Sequence, residues 1–129
     1  MKSRSKLNLQ NMKSKKITAY DYGFSSEKIA AEFLTSKGFE ILKKRFKTKF
    51  GEIDLIAKKD DLVIFVEVKG RKTKELIEVI LTKHQTCRIK NAAMLFVAQN
   101  LQYQNFNLRF DFILFNGSST LEHFEGFWE

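Results

Sequence analysis

Residues 51–69 read GEIDLIAKKDDLVIFVEVK, two apolar runs (53–57 and 62–68) on either side of the polar tetrad Lys58-Lys59-Asp60-Asp61. Such runs around a short polar tip predict a β-hairpin. Each run carries an acid in apolar company: Asp54 in the first and Glu67 in the second, with Lys69 two residues further on. Side chains alternate between the faces of a strand, so Glu67 and Lys69 share one. A four-residue tip pairs Ala57 with Leu62 and sets Asp54 opposite Phe65, with Glu67 as its diagonal neighbour. Any even-numbered loop keeps Asp54 and Glu67 on one face, whereas an odd loop or a bulge separates them. The pattern therefore gathers two acids and an amine.

Two carboxylates on adjacent strands repel by about 4 kcal/mol at ~4 Å and an effective dielectric near ~20. A divalent cation removes that cost, and Mg²⁺ suits it, taking one or two carboxylates together with waters and substrate phosphate. A protonated Lys69 does not ligate metal, but it can hold or deprotonate a water or neutralise charge on a phosphate oxygen. Such a constellation is a device for hydrolysing phosphodiesters. The competing reading is a structural salt bridge from Lys69 to either acid, and an isolated acid-x-Lys tripeptide favours it. Here the second acid arrives from an independent strand, among residues apolar enough to make stray charge costly.

At 129 residues with 43% apolar content, the chain is sized for one domain with a packed core. Its net charge of +8 points to a polyanionic partner, nucleic acid first, against the blander reading of a solvated Lys-rich surface. The single cysteine, Cys87, forms no internal disulfide and is expected as a small buried or half-buried side chain. No apolar run approaches the roughly 20 residues of a membrane span, and no secretory leader is visible, so a cytoplasmic location is expected.

Residues 1–16 are rich in Lys, Ser and Asn and lack acids, which predicts a disordered basic arm ahead of a single domain over 17–129. Ser25 and Ser26 can cap a helix running to Lys37 and ending at Gly38. On its wheel Glu27 lies at the edge of the apolar stripe, where an acid near a helix N-terminus also has a purely structural use. A first strand is expected over 39–46, the hairpin next, and a helix over 83–100 capped by Thr82. A strongly apolar strand around Phe110 and Phe112, a turn at 116–119 and a short edge strand over 121–124 follow. A helix between the Glu67 and Phe110 strands suits a right-handed crossover between parallel neighbours. The fold class is α/β, a mixed central sheet flanked by helices. Lys43, Lys44, Arg45, Lys47 and Lys49, then Arg71, Lys72 and Lys83, form basic clusters suited to phosphate contacts.

An acid-bearing helix followed by D…ExK on a hairpin resembles the PD-(D/E)XK nuclease superfamily and its restriction-endonuclease-like fold, an αβββαβ core. The likeness is closer to the YraN-like family of bacterial proteins, kin of Holliday-junction resolvases. It rests on Ser26-Glu27, Gly38-Phe39, GEIDLIA (51–57), Val66-Glu67-Val68-Lys69-x-Arg71, Lys83, Ile89, Ala92-Ala93 and Arg109-Phe110-Asp111. It covers the chain from about residue 20 onward. The resemblance implies Asp54, Glu67 and the Val68 carbonyl as ligands of Mg²⁺ or Mn²⁺, Lys69 as the catalytic lysine, and Glu27 as the helix acid that joins the site. It further implies a structure-directed endonuclease acting on branched or structured DNA, and a homodimer by analogy with resolvases. Ser26 stands where the family usually has Gly, and the loop after Arg71 is short. The alternative is a non-catalytic nucleic-acid-binding module, or an adaptor, on a nuclease-like fold.

Overall fold

The computed structural model describes residues 3–8, 19–69, 83–116 and 120–128. They form β1 (Ser3–Asn8), α1 (Ala19–Ser36), β2 (Glu40–Lys47), β3 (Glu52–Lys59), β4 (Leu62–Lys69), α2 (Lys83–Gln99), β5 (Asn107–Asn116) and β6 (Thr120–Trp128). The strands make one sheet in the order β1-β6-β5-β4-β3-β2. Only β4 and β5 run parallel, from Leu62↔Asn107 to Lys69↔Leu114; the other described pairings are antiparallel. The expected mixed sheet flanked by helices is observed. No helix among the described residues is long and apolar enough to cross a membrane.

Alternation along the central strands divides the core into two layers. Leu55, Ala57, Ile64 and Val66 pack with Ile29, Ala30, Phe33 and Leu34 of α1. Ile56, Val63 and Phe65 pack with Ala92, Ala93 and Phe96 of α2. Because β4 is covered on both faces, residues 63–68 are buried without a break, the near-continuous apolar run of a central strand.

Three boundaries differ from the sequence expectation. The hairpin tip has two residues, with Lys59 paired to Leu62 and Asp60 at φ 55. Asp tolerates that left-handed conformation, and two-residue loops match the twist of the flanking strands. Helix α1 begins at Ala19, so Ser25 and Ser26 lie inside it and not at its start. It does stop at Gly38, whose φ of 97 lets Phe39 N–H reach Leu34 O (3.0 Å) and Gly38 N–H reach Thr35 O (3.0 Å), a Schellman ending. At the far edge, Ser3–Asn8 of the arm expected to be disordered is a strand, paired from Ser3↔Glu125 to Asn8↔Thr120. An open edge offers a row of unpaired backbone groups, and β1 takes it. Strand β6 is consequently interior, and at nine residues longer than the short edge strand expected. Residues 9–16 of that arm and the turn residues 117–119 lie outside the described residues. Cys87 is exposed on α2 and not buried.

A buried polar cluster fastens α1 to β5 and β6. Asp111 is fully buried and accepts two bonds from Arg109 (2.9 Å each), one from the Gly126 amide (3.0 Å) and one from Nε2 of the equally buried His123 (2.8 Å). A carboxylate only accepts, so Nε2 carries the imidazole proton and Nδ1 accepts from Lys37 Nζ at the end of α1 (3.1 Å). Burial pushes the Asp111 carboxyl up, but the bonds from His123, Arg109 and Gly126 outweigh it and hold the group below its usual range. A depressed folded pKa adds stability above the unfolded value near ~3.9 and loses it as pH falls through the folded pKa. Asp111→Ala should therefore destabilise the protein by about 3 kcal/mol at neutral pH, leaving His123 and Arg109 without their acceptor. Urea titration at several pH values should show the gap to wild type shrinking below about pH 4.

Candidate functional site

The acids lie where the regular sheet breaks. Strand β2 pairs with β3 through Lys44↔Leu55 and Phe46↔Ile53, bracketing Arg45 and Asp54. Leu55 packs in the α1 layer but Ile53 packs in the α2 layer, so alternation fails between them, at Asp54. On the partner strand Arg45 takes φ 53, a left-handed conformation strained for a residue with a side chain.

The described β3–β4 ladder ends at Leu55↔Val66. Carried one residue further, its register sets Asp54 directly opposite Glu67. The sequence expectation had Phe65 there and Glu67 on the diagonal; the shorter tip slides the register by two residues, which preserves parity. Beyond the last pair, Asp54 Oδ2 accepts the Val68 amide at 2.8 Å, a side chain standing in for a strand carbonyl. Lys69 Nζ lies 3.1 Å from Glu67 Oε2.

The electrostatics follow from that crowding. Burial first, then the charge of Glu67, pushes the Asp54 carboxyl up to about 8, against the pull of the Val68 amide and Lys69. Burial likewise raises Glu67, with the Lys69 ion pair opposing it. Of the two, Asp54 is the acid that keeps its proton towards neutral pH. Glu27 acts on Asp54 as a further acid, and Arg45 Nε binds Glu27 Oε1 at 2.8 Å, joining α1 to β2 beside the break. Glu27 lies two turns inside α1, too far from Ala19 for the macrodipole role that the sequence left open.

Hard-oxygen chemistry and mutual repulsion suit this acid pair to Mg²⁺ or Mn²⁺. Among the described residues no group of three or more His, Cys, Asp or Glu side chains is placed to hold a metal. A cation here would rest on Asp54, Glu67, a backbone carbonyl such as that of Val68, and water, which is how Mg²⁺ is usually held.

Of the basic residues singled out in the sequence, Lys43, Lys44, Arg45 and Lys47 are exposed on β2, and Lys49 is exposed in the following turn. Arg71 and Lys72 lie outside the described residues, and Lys83 opens α2 with its side chain undescribed. Two interactions were not anticipated. Exposed Glu52 adds negative potential that raises Glu67; its position two residues before Asp54 was the available signal. Arg88 packs against Gly51, where an added Cβ would meet its guanidinium at 3.0 Å, and the two border a cavity of about 80 Å³ with Glu52, Gln85 and Ile89. No strand or helix pattern relates residues 51 and 88.

Comparison with known proteins matches residues 26–115 to a family described as "Uncharacterised protein family UPF0102". A UPF0102 protein of Bradyrhizobium sp. is 43% identical over 108 residues, covering 84% of this chain and 79% of its own. One from Bartonella bacilliformis is 44% identical (83% of this chain, 88% of its own), and one from Rhodopseudomonas palustris 40% (86% and 85%).

An acid whose folded pKa is raised retains protons that the unfolded chain releases, so stability falls as pH rises from ~3.9 towards the folded value. In metal-free buffer Asp54→Asn should therefore raise the melting temperature at pH 8.5 to 9, by about 4 °C or more, and should change it little near pH 4. Thermal melts across that range check it; an equal shift at both ends would contradict the assignment.

Proposed function

The chain belongs to the uncharacterised protein family UPF0102, and from the geometry of Asp54, Glu67 and Lys69 we propose that it is a metal-dependent phosphodiester hydrolase acting on DNA. One observation carries this reading: two acids are forced together, largely out of water, beside an ammonium group. Burial raises both carboxyls, and the charge of Glu67 raises Asp54 further, a combination that a merely structural ion pair does not need. The resemblance of the D…ExK pattern to PD-(D/E)XK nucleases supports the same reaction.

Asp54 and Glu67 would hold Mg²⁺ or Mn²⁺, with the Val68 carbonyl beside them. When bound, the cation supplies positive charge for a phosphoryl oxygen and a water of lowered pKa. The remaining chemistry belongs to the chain. Lys69, fixed by Glu67 at 3.1 Å and half-exposed, reaches solvent from that anchor, where its ammonium orients the attacking water or neutralises charge on the phosphate. The Val68 amide fixes the Asp54 carboxylate, so little reorganisation is needed when substrate arrives. Glu27 adds to the acidic field, held in place by Arg45. The exposed lysines of β2 lie on the adjacent strand and would meet phosphates, with affinity that falls steeply with salt and carries no sequence information. Recognition by shape, of branched or otherwise structured DNA, fits such a surface better than sequence reading.

Cleavage of branched and linear DNA with Mg²⁺ or Mn²⁺ should fall by about 100-fold or more in Asp54→Ala and in Lys69→Ala, and should stop on chelation. Activity that survives both substitutions in folded protein would end the assignment. Salt-sensitive binding without cleavage of any substrate would instead favour a non-catalytic binding module.

A further inference from the structure

A cleft of about 310 Å³ opens between the outer strand β2 and the C-terminal end of α2. That volume sits at the small end of the ~300–1,000 Å³ typical of ligand sites. Building on the nucleic-acid reading above, we propose that this cleft receives one unstacked nucleobase of the bound strand. The preferred substrate is then DNA with an unpaired nucleotide close to the cut.

The cleft is built by a β-bulge. Strand β2 pairs Ile41 with Ala57 and then Lys43 with Ile56, leaving Leu42 as the extra residue. Leu42 packs in the α2 layer, and Lys43 stands opposite Ile56 of that same layer. Two consecutive residues therefore serve one wall, one apolar and one cationic, which regular alternation forbids and bulges permit.

The lining matches the chemistry of a base. Phe46 and Phe96 are buried and meet edge to face, with centroids 5.5 Å apart. Tyr103, half-buried, lies parallel to Phe96 (6.1 Å, 10°) and is braced edge-on by Phe106 (5.1 Å, 81°). Its ring is thus fixed before any ligand arrives. Asn100 commits its amide nitrogen to Phe96 O at 2.8 Å, leaving its oxygen and the exposed amide of Gln99 as hydrogen-bonding groups at the rim. Aromatic rings, amides and one cation are the means by which single-stranded binders hold a base and its phosphate. An aliphatic peptide side chain would use neither the amides nor Lys43.

Position ties the cleft to the acids. Lys43 stands beside Ile56, two residues from Asp54 along β3, or roughly 7 Å. A strand with its phosphate at the acids can turn a nearby base into the cleft only where that base is not stacked in a duplex.

The test uses the full chain in EDTA, so that nothing is cut, with a fluorescent thymidine decamer and an abasic decamer of equal length and charge. Wild type should bind the thymidine decamer roughly fivefold or more tightly, the stacking contribution of one base. Tyr103→Leu and Gln99→Ala, each verified as folded by circular dichroism, should bring that ratio towards one while leaving abasic binding in place. Gln99 is exposed, so its substitution tests the cleft without disturbing the core. Equal binding of the two decamers by wild type, or a ratio unchanged in both variants, overturns the cleft assignment while phosphate binding stands. Failure to bind either decamer at low salt overturns the nucleic-acid reading and the cleft with it.

Discussion

The repulsion between Asp54 and Glu67 governs the surrounding structure, because burial removes the water that would otherwise screen it. Two neighbours answer that repulsion, whereas Glu27 and Glu52 add to it. The Val68 amide, released where the described ladder ends, binds Asp54; Lys69 binds Glu67; Arg45 accepts backbone strain at the position opposite Asp54 and anchors Glu27. The protein can hold two acids so closely because β4 stays paired to β5 through Glu67 and is buried up to Val68, leaving Glu67 no room to retreat.

The same sheet contains a second buried acid treated in the opposite way. Asp111 is surrounded by donors from Arg109, His123 and Gly126, and its charge is secure. Asp54 has one backbone donor and a like-charged neighbour, and its charge is not. Burial alone distinguishes neither group; the partners do. The saturated cluster fastens α1 to β5 and β6, whereas the acid pair at the end of β4 is held by the Val68 amide and Lys69.

What the sequence disclosed depended on whether a feature was local. Alternation along β4 placed Glu67 and Lys69 together, and the helix between parallel neighbours followed from chain order. Register did not follow, because Asp60 adopts a left-handed turn that the four-residue polar run 58–61 concealed. The break at Arg45 and Asp54 is a property of two strands and two layers at once, invisible to a one-strand pattern. The start of α1 was misplaced because Ser25-Ser26 looks like a cap, while the nearby preceding residues extend the helix. Strand β1 was hidden for a related reason: a Lys-, Ser- and Asn-rich segment pairs when a neighbouring edge is open. Arg88 beside Gly51, and the Leu42 bulge, arise only from packing.

The bulge and the lysines of β2 have a consequence for the protein in solution. Among the described residues strand β2 ends the sheet, and an edge strand of that kind invites another chain to add a strand and begin aggregation. An extra residue at Leu42 interrupts the row of backbone groups, and Lys43, Lys44, Arg45 and Lys47 surround it with positive charge. The residues proposed to meet a polyanion are thus also those that charge this edge. On the proposed reading, neutralising them to weaken nucleic-acid binding would also strip the edge of its charge, which couples affinity to colloidal stability along this strand.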